Sequence, residues 1–447
     1  MKRILFWLLA PCTLLLAAAQ AQIAANAVRT RVGDINLVAY KTGVKDVVYL
    51  RGVMPAGDDK APDDNSMLPT LVGGMLDRGT TQQDKLTLAA KLDAVGASIN
   101  FSVGSTTLEF TGRCLAKDVP LVASLIAEQL RSPAFSAEEL DKLKKQTIGG
   151  LTRALESTDF RATDAFSRAV YPAGHPNHQP PVEEQIAAIE KTTVDDLKKF
   201  HATHYGPAHL TIVAVGDVDA ALVQTELGRA FAGWSGGTPP LAAPAKAGQT
   251  DSARDIAVNM PDKTSVNILI GQSTGLRYGE DDYLALRVGT SVLGGPSFSG
   301  RLMKNTREKE GLTYGIYSNL ANDTFVDGDF RLNATFAPAL LEQGIASAKR
   351  HLNEWYQNGV TAKELADHQG NMVGSFKIAL ATTGGMAQAL VSTLNRGKDI
   401  SWLDEFPQRV NALTVEQVNG AIKKHLNPEE MIVVKAGTIP GAAPEKK

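Results

Sequence analysis

The chain repeats itself at long range. TTVDDLKKFHATHYGPAHLTIVAVG in the first half parallels LTVEQVNGAIKKHLNPEEMIVVKAG in the second, with Thr193-Val194 aligned to Thr414-Val415, 221 residues on. Upstream, DVPLVASLIAEQLRSPAFSAEELDKLKKQTIGGLTRAL parallels PALLEQGIASAKRHLNEWYQNGVTAKELADHQGNMVGSFKIAL, with Leu140 aligned to Leu365, 225 residues on. The near-constant offset leaves little room for insertions. A unit this long is a duplicated domain, not a solenoid repeat. In each copy, segments with period-two alternation precede long amphipathic helical segments. Strands and helices are thus segregated rather than strictly alternating. That pattern predicts an α+β fold of two homologous domains, each with helices packed on a mainly antiparallel sheet.

Punctuation sets the expected boundaries. Residues 233–255 (GWSGGTPPLAAPAKAGQTDSARD) have no hydrophobic period and are rich in Gly, Pro and Ala, as a linker would be. They separate an N-terminal domain at 22–232 from a C-terminal domain at 256–440. The first 21 residues read as a signal peptide: Lys2 and Arg3, an apolar stretch to residue 18, then Ala19-Gln20-Ala21 before the expected cut. Export of the mature chain, most simply to a bacterial periplasm, is the expectation. Cleavage would leave Cys114 as the sole cysteine, so stability must come from core packing rather than a disulfide. The thiol lies in an alternating stretch and reads as a small buried side chain. The 447 residues carry a formal net charge of -2 with no basic stripe, which argues against nucleic acid as a partner.

Three stretches are similar to one family. HATHYGPAHLTIVAVGDVD, RSPAFSAEEL and LGGPSFSGRLMKNTREKEGLTYGIYS, in that order, resemble the pitrilysin/insulinase-like metallopeptidases, in particular their short, two-domain, mitochondrial-processing-peptidase-like branch. Active members carry His-x-x-Glu-His on an early helix and a further glutamate on a later one. Two histidines four apart share a helix face, and the intervening glutamate can serve as a general base. The matching segment here is NSMLPTLVGGMLDRGT. Asn65 or Ser66 is the expected helix cap and Gly79 the expected stop. The resemblance puts Thr70, Gly73 and Gly74 at the motif positions and Gly150, or Gly149, at the distal glutamate. Glycine has no ligand atom and threonine is a poor zinc ligand, so no metal is expected in this chain.

The eight histidines offer no substitute. His175/His178 and His201/His204 are spaced i, i+3 without a cysteine nearby, and no H-x-x-E-H or H-E-x-x-H occurs anywhere. What the resemblance does carry over is an arginine and a tyrosine seven apart in the second domain, which in the family hydrogen-bond the substrate backbone. Here these are Arg307 and Tyr314. A guanidinium and a phenol are both suitable donors to a peptide carbonyl or a developing oxyanion. From the residues alone, Arg307 could equally pair with Glu308 or Glu310, and Tyr314 could pack on a strand. The resemblance implies a non-catalytic subunit that binds unfolded peptides and completes the active site of a zinc-carrying homologous partner, the cofactor residing in that partner. The alternative is a structural protein of the same fold with no part in proteolysis.

Overall fold

The computed structural model describes residues 22–242, 247, 253–295 and 299–441. The signal-peptide reading at 1–21, and residues 243–246 and 248–252 of the expected linker, lie outside the described residues. Among the described residues no helix is long and apolar enough to cross a membrane.

The first half runs α1 (Ile23–Asn26), β1 (Ala27–Val32), β2 (Ile35–Lys41), β3 (Val47–Met54), α2 (Leu68–Met75), α3 (Lys85–Asp93), β4 (Ser98–Val103) and β5 (Leu108–Leu115). It continues with α4 (Val119–Arg131), α5 (Ala137–Ala154), α6 (Thr158–Val170), α7 (Val182–Lys191), α8 (Val194–His204), β6 (Thr211–Gly216) and α9 (Ala220–Ala230). The second half runs β7 (Asp255–Asn259), β8 (Val266–Ser273), α10 (Tyr283–Gly294), β9 (Ile316–Ala321), β10 (Asp329–Phe336) and α11 (Leu341–Asn358). It closes with α12 (Ala362–Leu380), α13 (Thr383–Asn395), α14 (Ser401–Asn411), α15 (Val415–His425) and β11 (Ile432–Gly437).

The repeat is visible in the topology. One sheet has the order β1-β2-β6-β3-β5-β4 and the other β7-β11-β8-β10-β9. Without the extra edge strand β1, the two orders are identical. Each sheet has one parallel pair, β2 with β6 and β7 with β11, and antiparallel neighbours otherwise. The α+β expectation therefore holds. The aligned threonines do the same local work. Thr193 and Thr414 each accept from the backbone N–H three residues on, while Asp196 and Gln417 bond back to the cap's own N–H. These reciprocal boxes satisfy donors that a bare helix start would leave open.

The halves also exchange helices. Helix α6, from the first half, lays Ala162, Phe166 and Val170 on Leu269, Ile432 and Val434 of the second sheet. Helix α13, from the second half, lays Met386, Leu390 and Val391 on Val53, Val213 and Val215 of the first. Each sheet is thus covered on its other face by a helix of the opposite half, which is why every residue of β8 is buried. A cavity-forming truncation at such a site typically costs about 2–5 kcal/mol. A polar latch reinforces the exchange beyond α6: Tyr171 Oη donates to Asp329 at 2.7 Å, and His175 Nε2 lies 3.1 Å from the buried Asp327.

Candidate functional site

Helix α2 is where the resemblance puts the zinc motif. The expected side-chain cap is absent: Met67 is the N-cap, and Asn65 donates instead to Thr192 Oγ1 at 2.9 Å, in the interior. Pro69 explains the difference, because a proline in the first turn removes one of the N–H groups a cap would serve. Gly79 follows the helix at φ +109°, so the chain does turn there. Arg78 ties α2 to α5 through Glu139 at 3.3 Å and Gln146 at 2.8 Å.

Thr70 points its hydroxyl at Asp58 Oδ1, 3.4 Å away. Burial pushes the Asp58 carboxyl up to about 6, with the Thr70 hydroxyl pulling the other way. Gly73 is filled against: a Cβ there would stand 2.4 Å from Val103 Cγ2 and 3.3 Å from Leu108 Cδ1. A Cβ at Gly74 would meet Leu143 at 3.1 Å. The second glycine pair, on α5, differs. A Cβ at Gly149 would meet Arg153 at an ordinary 3.6 Å, and one at Gly150 would meet nothing within 4 Å.

These residues do not fit a zinc ion. One hydroxyl, already engaged with a carboxyl, stands with glycines at the remaining positions, and Val103 occupies space beside the helix. Among the described residues no group of three His, Cys, Asp or Glu could hold a metal. The histidines have other roles: His201 Nε2 bonds the Leu130 carbonyl at 2.7 Å, and His178 Nδ1 the Tyr171 carbonyl at 2.8 Å. Cys114 is buried, and burial pushes its thiol up to about 12, which leaves it inert.

Arg307 and Tyr314 lie in the second half on a segment held at both ends. Arg307 sits in a π-helical turn, Met303–Lys309. Before it, Arg301 forks onto Glu364 with both contacts at 2.7 Å and bonds the Gly359 carbonyl at 2.8 Å. Glu364 also closes the capping box of α12 with Thr361, and these partners hold its carboxyl at about 2. After it, Glu310 takes Ser347 at 2.6 Å, Arg350 at 2.7 Å and His351 at 2.9 Å. Burial alone would raise the Glu310 carboxyl, but these three donors hold it at about 2. Thr306 and Ser347 share a buried hydroxyl pair at 3.1 Å.

The chain then reverses at Gly311, φ +69°, and Thr313 braces the turn by donating to the Thr335 carbonyl at 2.6 Å. The result is that Tyr314 is 95% exposed, and its hydroxyl bonds no described residue. The strand-packing alternative for Tyr314 is therefore not what the fold does. The resemblance pointed to the pair, and nothing in the sequence pointed to most of the clamps. Of Arg301, Glu310, Glu364 and Asp58, Glu364 alone left a local signal, the Thr-x-x-Glu of a capping box.

A family model described as the peptidase M16 inactive domain matches residues 191–372, a stretch that includes both Arg307 and Tyr314. An uncharacterized zinc protease of Streptomyces coelicolor is 25% identical over 354 residues, 78% of this chain and 76% of its own. A Helicobacter pylori protein named a non-peptidase homolog is 22% identical over 381 residues, 83% and 84% of the two chains. The crystal structure of a peptidase M16 inactive domain from Pseudomonas fluorescens matches with a TM-score of 0.85 and 25% identity, covering 94% of this chain and 100% of that one. Duplicated topology, ordered motifs and these matches agree: over most of its length the chain is similar to M16 proteins, residues 191–372 match the M16 inactive-domain model, and the helix where the resemblance puts the zinc motif carries no zinc ligand.

Proposed function

We propose that this chain is the zinc-less half of a two-chain peptidase, exported to a bacterial periplasm. It binds unfolded peptides and presents Arg307 and Tyr314 to the active site of a zinc-carrying homologous partner. The observation that carries this reading is the contrast within one chain. The motif helix has lost every ligand, yet the Arg307–Tyr314 segment is clamped at both ends and its tyrosine stands 95% exposed. Clamps of this kind keep donors in place for charge that develops elsewhere, the condition under which such donors are most effective. The name of the Helicobacter pylori relative, a non-peptidase homolog, supports a role without chemistry of its own.

Affinity purification from the native host tests the proposal. A homologue with an intact zinc motif should co-purify, while the isolated chain should hold no stoichiometric zinc after dialysis and hydrolyse no peptide. One tightly held zinc per isolated chain, or hydrolysis by the chain alone, would contradict it. A stable complex without any zinc-motif homologue would make the chain a scaffold.

A further inference from the structure

Duplication means that the second half has its own version of the groove in which an active relative holds its metal. Helices α10 and α12 and strand β9 stand to the second sheet as α2, α5 and β4 stand to the first. In the first half Val103 and Leu143 pack against Gly73 and Gly74 of α2. In the second a cavity of about 460 Å³ lies between α10, α12 and β9, roofed by α13 and α14. Its walls combine Phe376, Trp402 and Phe406 with two guanidinium groups, Arg287 and Arg396, and no carboxylate lines it among the described residues.

The two arginines are unusual for their setting. Arg396 lies flat over the Tyr278 ring, 3.9 Å from its centroid, and its buried Nε–H has no acceptor. Arg287 shares its neighbourhood, since both charges act on the Tyr283 hydroxyl. That hydroxyl donates at 2.8 Å to Asp323, a carboxylate outside the cavity wall. The buried Nε–H of Arg396 is costly to leave without an acceptor, and the exposed Arg287 adds a second guanidinium at the same wall. A planar carboxylate matches them. Deeper in, Thr290 is 2% exposed and its Oγ1 has no partner either. At the mouth, Asn371 and Ser375 add an amide and a hydroxyl. A simple fatty acid could satisfy the arginines but offers no amide to Thr290, Asn371 and Ser375, whereas a peptide backbone does.

We infer that this cavity binds the C-terminal residue of a peptide, its free carboxylate on Arg287 and Arg396 and its apolar side chain against Trp402 and Phe406. Nothing in this inference requires the zinc-carrying partner, so it survives or fails separately from the reading above.

Calorimetric titration of the purified full chain tests it with three probes: N-acetyl-Ala-Ala-Phe as the free acid, the same tripeptide as its C-terminal amide, and octanoate. The free acid should bind, with the amide at least tenfold weaker. Arg396→Gln should weaken the free acid at least tenfold and leave the amide unchanged, in a protein whose melting curve matches the parent. Should that variant fail to fold because the Tyr278 stack is lost, Arg287→Gln, on the exposed side of α10, replaces it with the same expectation. Equal binding of acid and amide, no binding of either at millimolar concentration, unchanged acid affinity in the folded variants, or octanoate binding where the tripeptide acid does not would each overturn the assignment.

Discussion

On the groove side of α2 the glycines are packed against, while the counterpart between α10 and α12 holds a cavity of about 460 Å³. Both arise from one duplicated architecture, and both lack a metal-binding triad among the described residues. They differ in what fills the space. On α2, Gly73 lets Val103 come within 2.4 Å of where a Cβ would stand, and Gly74 admits Leu143. These glycines are packing residues now, each giving up about 1 kcal/mol of helix propensity for close approach. On α5, the Gly149–Gly150 pair is in open space. Beside α10, Phe376 packs on Phe406 and Tyr278 on Trp402, and these pairs line a cavity. Losing ligands is therefore a different event from losing a site. On α2 the glycines are packed against, while on α5 a Cβ at Gly150 would meet nothing within 4 Å.

The largest expected effect comes from trying to undo the filling. Thr70→His, Gly73→Glu and Gly74→His together should lower stability by about 3–5 kcal/mol, because two sites are overpacked and the Thr70–Asp58 contact is lost. Urea unfolding measures this, and parental stability with zinc bound would break the contrast between the grooves. Next comes Asp58. Its carboxyl is raised from 3.8 to about 6 in the fold, so the folded state holds the proton more tightly than the unfolded chain. Stability from this group is present below pH 3.8 and is lost as pH rises through 6. Asp58→Asn should accordingly stabilise the protein above pH 6, by on the order of 3 kcal/mol at most, and flatten the fall between pH 4 and 6. Melting temperatures across that window decide it, and a parallel pH dependence in both proteins would contradict it.

Gly73→Ala should destabilise by about 1–3 kcal/mol, since Val103 is β-branched and cannot simply swing away. Gly150→Ala should do the opposite, stabilising by up to about 1 kcal/mol, because the methyl meets nothing and the helix gains propensity. Opposite signs in the two unfolding curves would sharpen the comparison, and equal signs would dissolve it.

Much of this was legible in advance, for reasons that are local. Thr193 and Thr414 marked equivalent helix starts, and the offset from Leu140 to Leu365 fixed the duplication. The motif positions rest on the resemblance around Met75-Leu76 and Gly79-Thr80 alone. The exchange of α6 and α13 between the halves was not read, since nothing in either helix names the sheet it will cover. There was a signal nonetheless. ILIG within β8 and IVAVG within β6 are unbroken runs without a polar side chain, where a sheet with one wet face would alternate, so both faces had to be covered. Asn65 was misread as a cap because Pro69 removed the cap's work while Thr192, 127 residues away, offered a better partner. Asp58 was invisible for the same reason: a buried carboxyl is recognised by what tertiary structure sets beside it.

Tyr314 is the residue on which the account rests. It is 95% exposed, beside a segment fixed by Arg301–Glu364 and by Glu310, so removing its hydroxyl should leave fold and assembly untouched. A donor aimed at developing charge is typically worth about 3 kcal/mol, or roughly a hundredfold in rate. The measurement is turnover of a peptide substrate by the two-chain complex carrying Tyr314→Phe, after size-exclusion chromatography has shown the complex intact. The account predicts kcat lowered by about a hundredfold with assembly unchanged, and Arg307→Ala should behave alike. Unchanged kcat in both intact variant complexes would contradict it.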